Sequence, residues 1–268
     1  MRLQRYHGLG NDYLVLQEPD GLEALDPGLV KALCDRHTGV GGDGVLLPTA
    51  GGGVRIYNPD GSQAEKSGNG LRIFAQYRVD HCGAPRSLEL GLPLLGTTVR
   101  ARVDEDGVTV AMGIARFPGP VSLDAAGDTL AAIRVDVGNP HCVIFQDAEL
   151  DALPWRTWGR LLEVHPHFPD RTNVQVARVL GPDRVAARIW ERGAGETASS
   201  GSSSCAVAAA AVHTGRLARG RIAVVMPGGT LHVDVGADWE LSLRGPVAHV
   251  ATIEVSSSWL AAQGVRKH

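Results

Sequence analysis

Glu191, Arg192 and Glu196 stand in one polar turn, Glu191-Arg192-Gly193-Ala194-Gly195-Glu196-Thr197-Ala198-Ser199-Ser200-Gly201, which runs into a small-residue helix expected over 202–213. A Gly/Ser-rich turn ahead of a helix offers unpaired backbone N–H groups and the positive end of the helix dipole. Such an end suits a carboxylate or a phosphate, and the charged groups of the turn are at hand to act on what it holds. Taken alone, the stretch reads equally as a loop and a well-capped helix, since a short motif is a hypothesis until its context is known.

A second copy weighs against the plain reading. Tyr57-Asn58-Pro59-Asp60-Gly61-Ser62 follows an apolar run, and Glu65-Lys66-Ser67-Gly68-Asn69-Gly70 then precedes a helix expected over 71–80. Each copy places an acidic residue, then Ser-Gly and a small polar residue, ahead of a helix. Another pair echoes this: Gly8-Leu9-Gly10-Asn11-Asp12-Tyr13 resembles Val137-Gly138-Asn139-Pro140-His141-Cys142, each a Gly-Asn turn leading into an apolar strand. The echoes are roughly 130 residues apart, a period that marks two similar halves. One ligand held in a cleft between two facing anion-binding turns is the expectation. Asn11, Asn58, Asn139, Asn173, Glu191 and Arg192 are expected to contact it, and an α-carboxylate is expected at Ser200-Gly201-Ser202. Asn11 and Asn139 also read as turn residues in the left-handed region, which Asn tolerates, and Glu191-Arg192 as an exposed ion pair of small worth.

The elements that must position these residues are many short strands and few helices. Strands are expected over 3–7, 13–17, 45–47, 54–57, 87–90, 97–103 and 108–112. In the second half they are expected over 133–137, 142–145, 174–179 and 185–190, with four more between 221 and 255. Helices are expected over 27–37, where Pro27 opens the first turn, and over 154–164. Phe117-Pro118-Gly119-Pro120 is the expected inter-domain link. Two halves follow, 1–115, joined by the tail 256–268, and 116–255. The fold class is α+β, each half a curled, mainly antiparallel sheet around the helix that follows its Ser-Gly turn. The second of these helices, rich in Ala between 206 and 211, has side chains small enough for strands to close around it on all sides.

Composition bounds the rest. The chain has 268 residues, 44% hydrophobic and 21% charged, with a net charge of −3. That supports a packed core and gives no electrostatic case for nucleic acid or a membrane surface. No apolar run approaches the roughly 20 residues of a membrane span, and the N-terminus lacks a signal-like apolar region, so a cytoplasmic protein is expected. Cys34, Cys82, Cys142 and Cys205 lack metal-like spacing and read as small apolar residues. No dinucleotide or phosphate-loop pattern appears. No cofactor or metal is expected. His7, His37, His165, His167 and His213 read as surface or core residues.

The motifs taken together resemble the diaminopimelate epimerase family: Gly8-Leu9-Gly10-Asn11-Asp12, Gly41-Gly42-Asp43-Gly44, Asn58-Pro59-Asp60-Gly61-Ser62, Gly68-Asn69-Gly70, Gly138-Asn139-Pro140-His141, Asn173-Val174 and Glu191-Arg192-Gly193-Ala194-Gly195-Glu196-Thr197. They lie in order over nearly the whole chain. The resemblance implies two pseudo-symmetric domains, a C-terminal tail packed on the first, and cofactor-independent amino-acid epimerase or racemase chemistry of the lysine-biosynthesis kind. In that family two cysteines act on opposite faces of Cα, one removing the proton and one delivering it. Here both positions are serine, Ser67 and Ser200. A thiol ionises near pH 8.5 and an alcohol near the value of water, a gap of about seven units or roughly 10 kcal/mol against having the base ready.

Three readings stay open. In one, an epimerase-like isomerase moves the proton with other groups; Glu191 and His141 match family positions near the reacting centre, and Ser67, Ser200, Gly68, Asn69, Gly201 and Ser202 bind or orient the substrate. In another, a cysteine-less isomerase or lyase of the same fold uses Glu or His as a single base. In the third, the chain binds an amino acid or dicarboxylate without catalysis. The partner in each is a small amino-acid or dicarboxylate molecule, with a homodimer left open.

Overall fold

Apolar runs become strands on almost every segment where the pattern places them, in a computed structural model that describes residues 1–17 and 24–264. The described residues divide into two units, one of 1–110 with 246–264 and one of 111–245.

The first unit opens with a hairpin of β1 (Arg2–Gly8) and β2 (Asn11–Gln17), followed by α1 (Pro27–Cys34), β3 (Val45–Thr49), β4 (Gly53–Tyr57) and the two-residue β5 (Gln63–Ala64). Then come α2 (Gly68–Cys82), β6 (Ser87–Leu92), β7 (Thr97–Asp104) and β8 (Gly107–Ile114), whose residues from Ala111 on count with the second unit. β2 runs antiparallel to β1 and parallel to β3; β4 is antiparallel to β3 and β5 and parallel to β6; β7 is antiparallel to β6 and β8.

The second unit repeats that order. β9 (Arg116–Ala125), β10 (Asp128–Asp136) and β11 (Pro140–Phe145) are antiparallel neighbours, and α3 (Trp155–Glu163) follows. β12 (Asn173–Gly181) runs parallel to β11, β13 (Arg184–Glu191) antiparallel to β12, and β14 (Gly195–Thr197) antiparallel to β13. After α4 (Gly201–His213), β15 (Gly220–Met226) is parallel to β13, with β16 (Gly229–Val235) and β17 (Glu240–Gly245) antiparallel in turn. The parallel step comes twice in each unit, at matching places, so the sequence echoes correspond to one topology built twice.

In each unit the helix after the Ser-Gly turn is the central one. Cys205 to Ala211 of α4 are fully buried, and strands β10 to β13 and β15 to β17 pack around them. Small side chains let backbones approach from all sides, as the Ala run led us to expect. α2 is buried from Gly68 to Ala75 and packs on β1, β2, β6 and β7. A second helix covers the other side of each sheet. Leu29, Val30 and Leu33 of α1 join Leu3, Leu14, Val45 and Leu47, while Trp155, Trp158 and Leu162 of α3 join Cys142, Ile144 and Val174. α3 comes so close to β13 that a Cβ at Gly159 would meet the Trp190 side chain at 2.7 Å.

Three segments depart from the sequence pattern. The expected link 117–120 lies inside β9, paired with β10. Its Pro and Gly residues are accommodated because Gly119 takes φ 112°, Arg134 donates to the Pro118 carbonyl, and the Phe117 ring stacks on His213 at 3.9 Å. α1 ends at Cys34 rather than reaching residue 37, because the Asp35 carboxylate accepts the His37 and Thr38 N–H groups and turns the chain. The segment β18 (Ala248–Glu254), read as part of the C-terminal half 116–255, pairs with β1 and belongs to the first unit, beside β1 as β9 lies beside β10. The short helix α5 (Ser257–Ala262) follows; Leu260 joins the α1 cluster and the Trp259 indole donates to the Thr38 carbonyl at 3.0 Å. Among the described residues no helix is long and apolar enough to cross a membrane.

Candidate active site

In the first unit the site residues gather where the β1–β2 turn meets the start of α2. Leu9 and Gly10 take φ 55° and 88°, the two left-handed residues of a tight hairpin turn. Asn11 is therefore not the left-handed residue, and its amide is free to reach sideways. Its Nδ2 donates to Asp43 at 2.9 Å and its Oδ1 accepts from Asn69 Nδ2 at 2.9 Å. Asn69 Oδ1 in turn accepts from Arg72, a fully buried guanidinium that also donates to the Gly68 and Pro246 carbonyls. Ser67 caps α2, its Oγ accepting the Gly70 N–H at 3.0 Å and lying 3.1 Å from the Tyr13 hydroxyl. Asn58 closes its own turn, with Nδ2 on Ser62 Oγ at 3.0 Å and its N–H on the Ser62 carbonyl at 2.8 Å.

Asp12 holds this corner in place. Burial pushes its carboxyl up, yet bonds from Arg36 at 2.7 Å and Arg5 at 2.5 Å outweigh burial and lower its pKa. Arg36 also reaches Asp43 at 2.8 Å, which ties the Gly-rich turn 39–44 to Asn11.

In the second unit the matching corner lies between β11, the end of β13 and the start of α4. Gly138, not Asn139, is the left-handed residue, at φ 100°. Asn139 Oδ1 and His141 Nε2 are 2.9 Å apart. Asn173 spends its amide on the backbone: Nδ2 donates to the Pro140 carbonyl at 2.9 Å and Oδ1 accepts the Arg192 N–H at 3.0 Å. It thus fastens the 191–192 turn to the start of β11. Arg192 is exposed and its guanidinium donates to the Asp170 carbonyl at 3.0 Å. Ser200 caps α4, with the Ser203 N–H at 3.4 Å, and Gly201 and Ser202 begin that helix.

The two residues read as proton carriers have opposite surroundings. Burial raises the Glu191 carboxyl above the usual glutamate range, and the nearby Ser200 hydroxyl partly opposes it. A carboxylate raised in this way is a better base near neutral pH. His141 is buried, and that burial, with the Arg192 charge, pushes its pKa down to about 3 against a partly opposing Gln175 contact. Such an imidazole stays neutral but takes up a proton poorly. The expectation that His141 could serve as the base is not supported by its surroundings. It lies on one sheet face with Asn173 and Gln175, since β11 and β12 pair His141 with Asn173 and Val143 with Gln175, and alternate residues of a strand share a face.

Sequence reasoning passed over Glu163, at the end of α3. Its carboxylate accepts the Trp190 indole at 2.8 Å and the Gly193 N–H at 2.7 Å, and pairs with Arg171. It therefore grips the chain on both sides of Glu191 and Arg192. Nothing in the local sequence marks it. Asp43 and Asp12 were signalled by their motifs, and Tyr13 by its place beside Asn11 and Asp12. Among the described residues no three His, Cys, Asp or Glu side chains come together as a metal site requires.

A family model described as diaminopimelate epimerase matches residues 4–118 and 133–250. The diaminopimelate epimerase of Desulforudis audaxviator is 41% identical over 273 residues, 93% of this chain and 97% of its own. Diaminopimelate epimerase 2 of a Nostoc species is 38% identical over 99% of both chains. Among solved structures, a hydroxyproline epimerase from Agrobacterium vitis superposes with a TM-score of 0.68 at 17% identity, covering 99% of this chain and 98% of its own. At that identity the likeness is one of fold.

Proposed function

This chain belongs to the diaminopimelate epimerase family, and from that premise we propose that it is a cofactor-independent isomerase inverting the α-carbon of an amino acid, with diaminopimelate as the first substrate to try. The observation that carries this reading is the surroundings of Glu191: its carboxyl is raised by burial at the end of β13, and Asn173 fastens the turn that follows it. Glu191 is the base that takes the Cα proton. The amides opening α4 at Ser200-Gly201-Ser202 hold the substrate carboxylate, as unpaired N–H groups at a helix start do. Asn11 and Asn69 in the first unit, with Asn58, Gly68, Asn139 and Arg192, supply the polar surroundings; Asn173 keeps the 191–192 turn in place.

One observation favours a second reading. His141 is too weak a base, which leaves Glu191, with its raised carboxyl, as the base of the two. A single base suffices for a lyase or for an isomerase that moves one proton within one face. Chiral chromatography of the purified protein incubated with LL- and meso-diaminopimelate, without added cofactor, separates the readings. Interconversion of the two stereoisomers is the expected result. An unsaturated product without inversion supports the second reading, and no change in any of a panel of amino acids, with the fold intact by circular dichroism, rejects both.

A further inference from the structure

Ser67 and Ser200 adopt nearly the same backbone, φ −139° and ψ 119° against φ −142° and ψ 128°, and cap their helices in the same way. They differ in what holds the hydroxyl. A serine oxygen has one proton to give and two lone pairs. At Ser67 one lone pair takes the Gly70 N–H at 3.0 Å, and the Tyr13 hydroxyl lies 3.1 Å away. Of these two hydroxyls the phenol is more acidic by several pH units, with a pKa of about 10 against about 16 for an alcohol taken as like water, so Tyr13 donates. Both lone pairs are then occupied and the proton of Ser67 is left to be given away. At Ser200 the hydroxyl accepts the Ser203 N–H at 3.4 Å, and the neighbouring Glu191 carboxyl is raised by burial.

We propose that Tyr13 is the proton source behind Ser67, so that the Ser67 hydroxyl gives a proton which the phenol then replaces. This rests on the isomerase reading given above. In the forward step the Cα–H bond breaks and its proton passes to the Glu191 carboxylate. The electron pair stays on carbon, the Ser67 O–H proton joins Cα, and the Tyr13 proton moves to Ser67 Oγ. Glu191 ends neutral and Tyr13 ends as phenolate; water takes the proton from one and returns a proton to the other. The reverse direction starts from that second state. A raised carboxyl, and a phenol acting through Ser67, thereby span the ionisation gap that two bare serines leave.

Two measurements test the assignment. The first needs no turnover. In a Cys82→Ser background, which removes the exposed native thiol, Ser67→Cys places a thiol beside Tyr13, and its iodoacetamide labelling is followed against pH by mass spectrometry. A hydrogen-bond donor favours the thiolate, so adding Tyr13→Phe is expected to move the midpoint up by about one pH unit, a tenfold fall in rate on the acid side. Equal midpoints overturn the proposal. The second uses the otherwise unchanged chain. Tyr13→Phe is expected to lower inversion by about a hundredfold or more while deuterium from heavy water still enters Cα of one stereoisomer and not the other. Retained inversion, or equal loss of exchange for both stereoisomers, overturns it. If the unaltered chain exchanges no α-hydrogen, the isomerase reading falls and the relay with it; an absent midpoint shift with exchange intact overturns the relay alone.

Discussion

The Glu163 carboxylate accepts the Gly193 N–H at 2.7 Å, from a residue thirty positions later in the chain. That bond, with the Trp190 indole on the other carboxylate oxygen, sets the path of the chain through Glu191 and Arg192. Burial pushes the Glu163 carboxyl up, but Gly193, Trp190 and Arg171 outweigh it and hold its pKa below the ordinary 4.5.

Glu163→Gln keeps the shape and loses the charge, and should destabilise the fold by about 1–3 kcal/mol, the cost of weakening buried bonds to a charged acceptor. Because the folded pKa is depressed, the contribution of the native carboxylate is complete above the unfolded value of 4.5 and is lost as pH falls through the folded value. Urea unfolding at pH 7 and near pH 3 checks this: the gap between native and variant should be wide at the first and narrow at the second. A variant as stable as the native chain at pH 7 would remove Glu163 from this role.

Glu191 carries the opposite sign. Its raised pKa means that folding disfavours its ionised form, so the native chain loses stability as pH rises through the folded value. Glu191→Gln should melt at least as high as the native chain at pH 8, with the difference closing below about pH 4, near the unperturbed glutamate value. Turnover should fall by about two to four orders of magnitude, the range for a lost general base. In the native chain the acid limb of kcat/KM should lie above the ordinary glutamate range, since Glu191 must be ionised to act. Differential scanning calorimetry and steady-state kinetics on the same samples read both effects.

The caps, the repeat and the small-residue helix were legible because each depends on neighbours in sequence. Ser67 and Ser200 precede their glycines, and the Ala run of α4 signals close packing wherever it is placed. β9 was not legible, because Pro118, Gly119 and Pro120 carry turn chemistry locally and only the Phe117–His213 stack and the Arg134 bond make them a strand. The type of His141 suited a base, while burial, which decides its basicity, is a property of the folded sheet. Tyr13 and Ser67 are joined only by the fold, as are Glu163 and Gly193, and no periodicity records such a meeting.

Native activity should survive thiol alkylation. Burial pushes the Cys34 thiol up to about 11 and the Cys142 thiol up to about 12, so neither offers thiolate at neutral pH. Cys205 is buried within α4, and Cys82 is exposed at the last turn of α2. Incubation with iodoacetamide at pH 7.5 should modify Cys82 alone by mass spectrometry and leave turnover within about twofold, since a modified surface thiol away from the site has small effect. Full inactivation with the fold intact would reveal a reactive cysteine in the chemistry.

The central proposal is that Glu191 takes the Cα proton, with serine at the two positions that the family resemblance gives to thiols. Deuterium wash-in measures it most directly: purified protein in heavy water with LL- or meso-diaminopimelate, followed by mass spectrometry and chiral separation. The expected result is deuterium at Cα accompanied by inversion in the native chain, and a rate lower by about two to four orders of magnitude in Glu191→Gln. Exchange at the native rate in Glu191→Gln, or no exchange in the native chain where Ser67→Cys with Ser200→Cys exchanges readily, would contradict it.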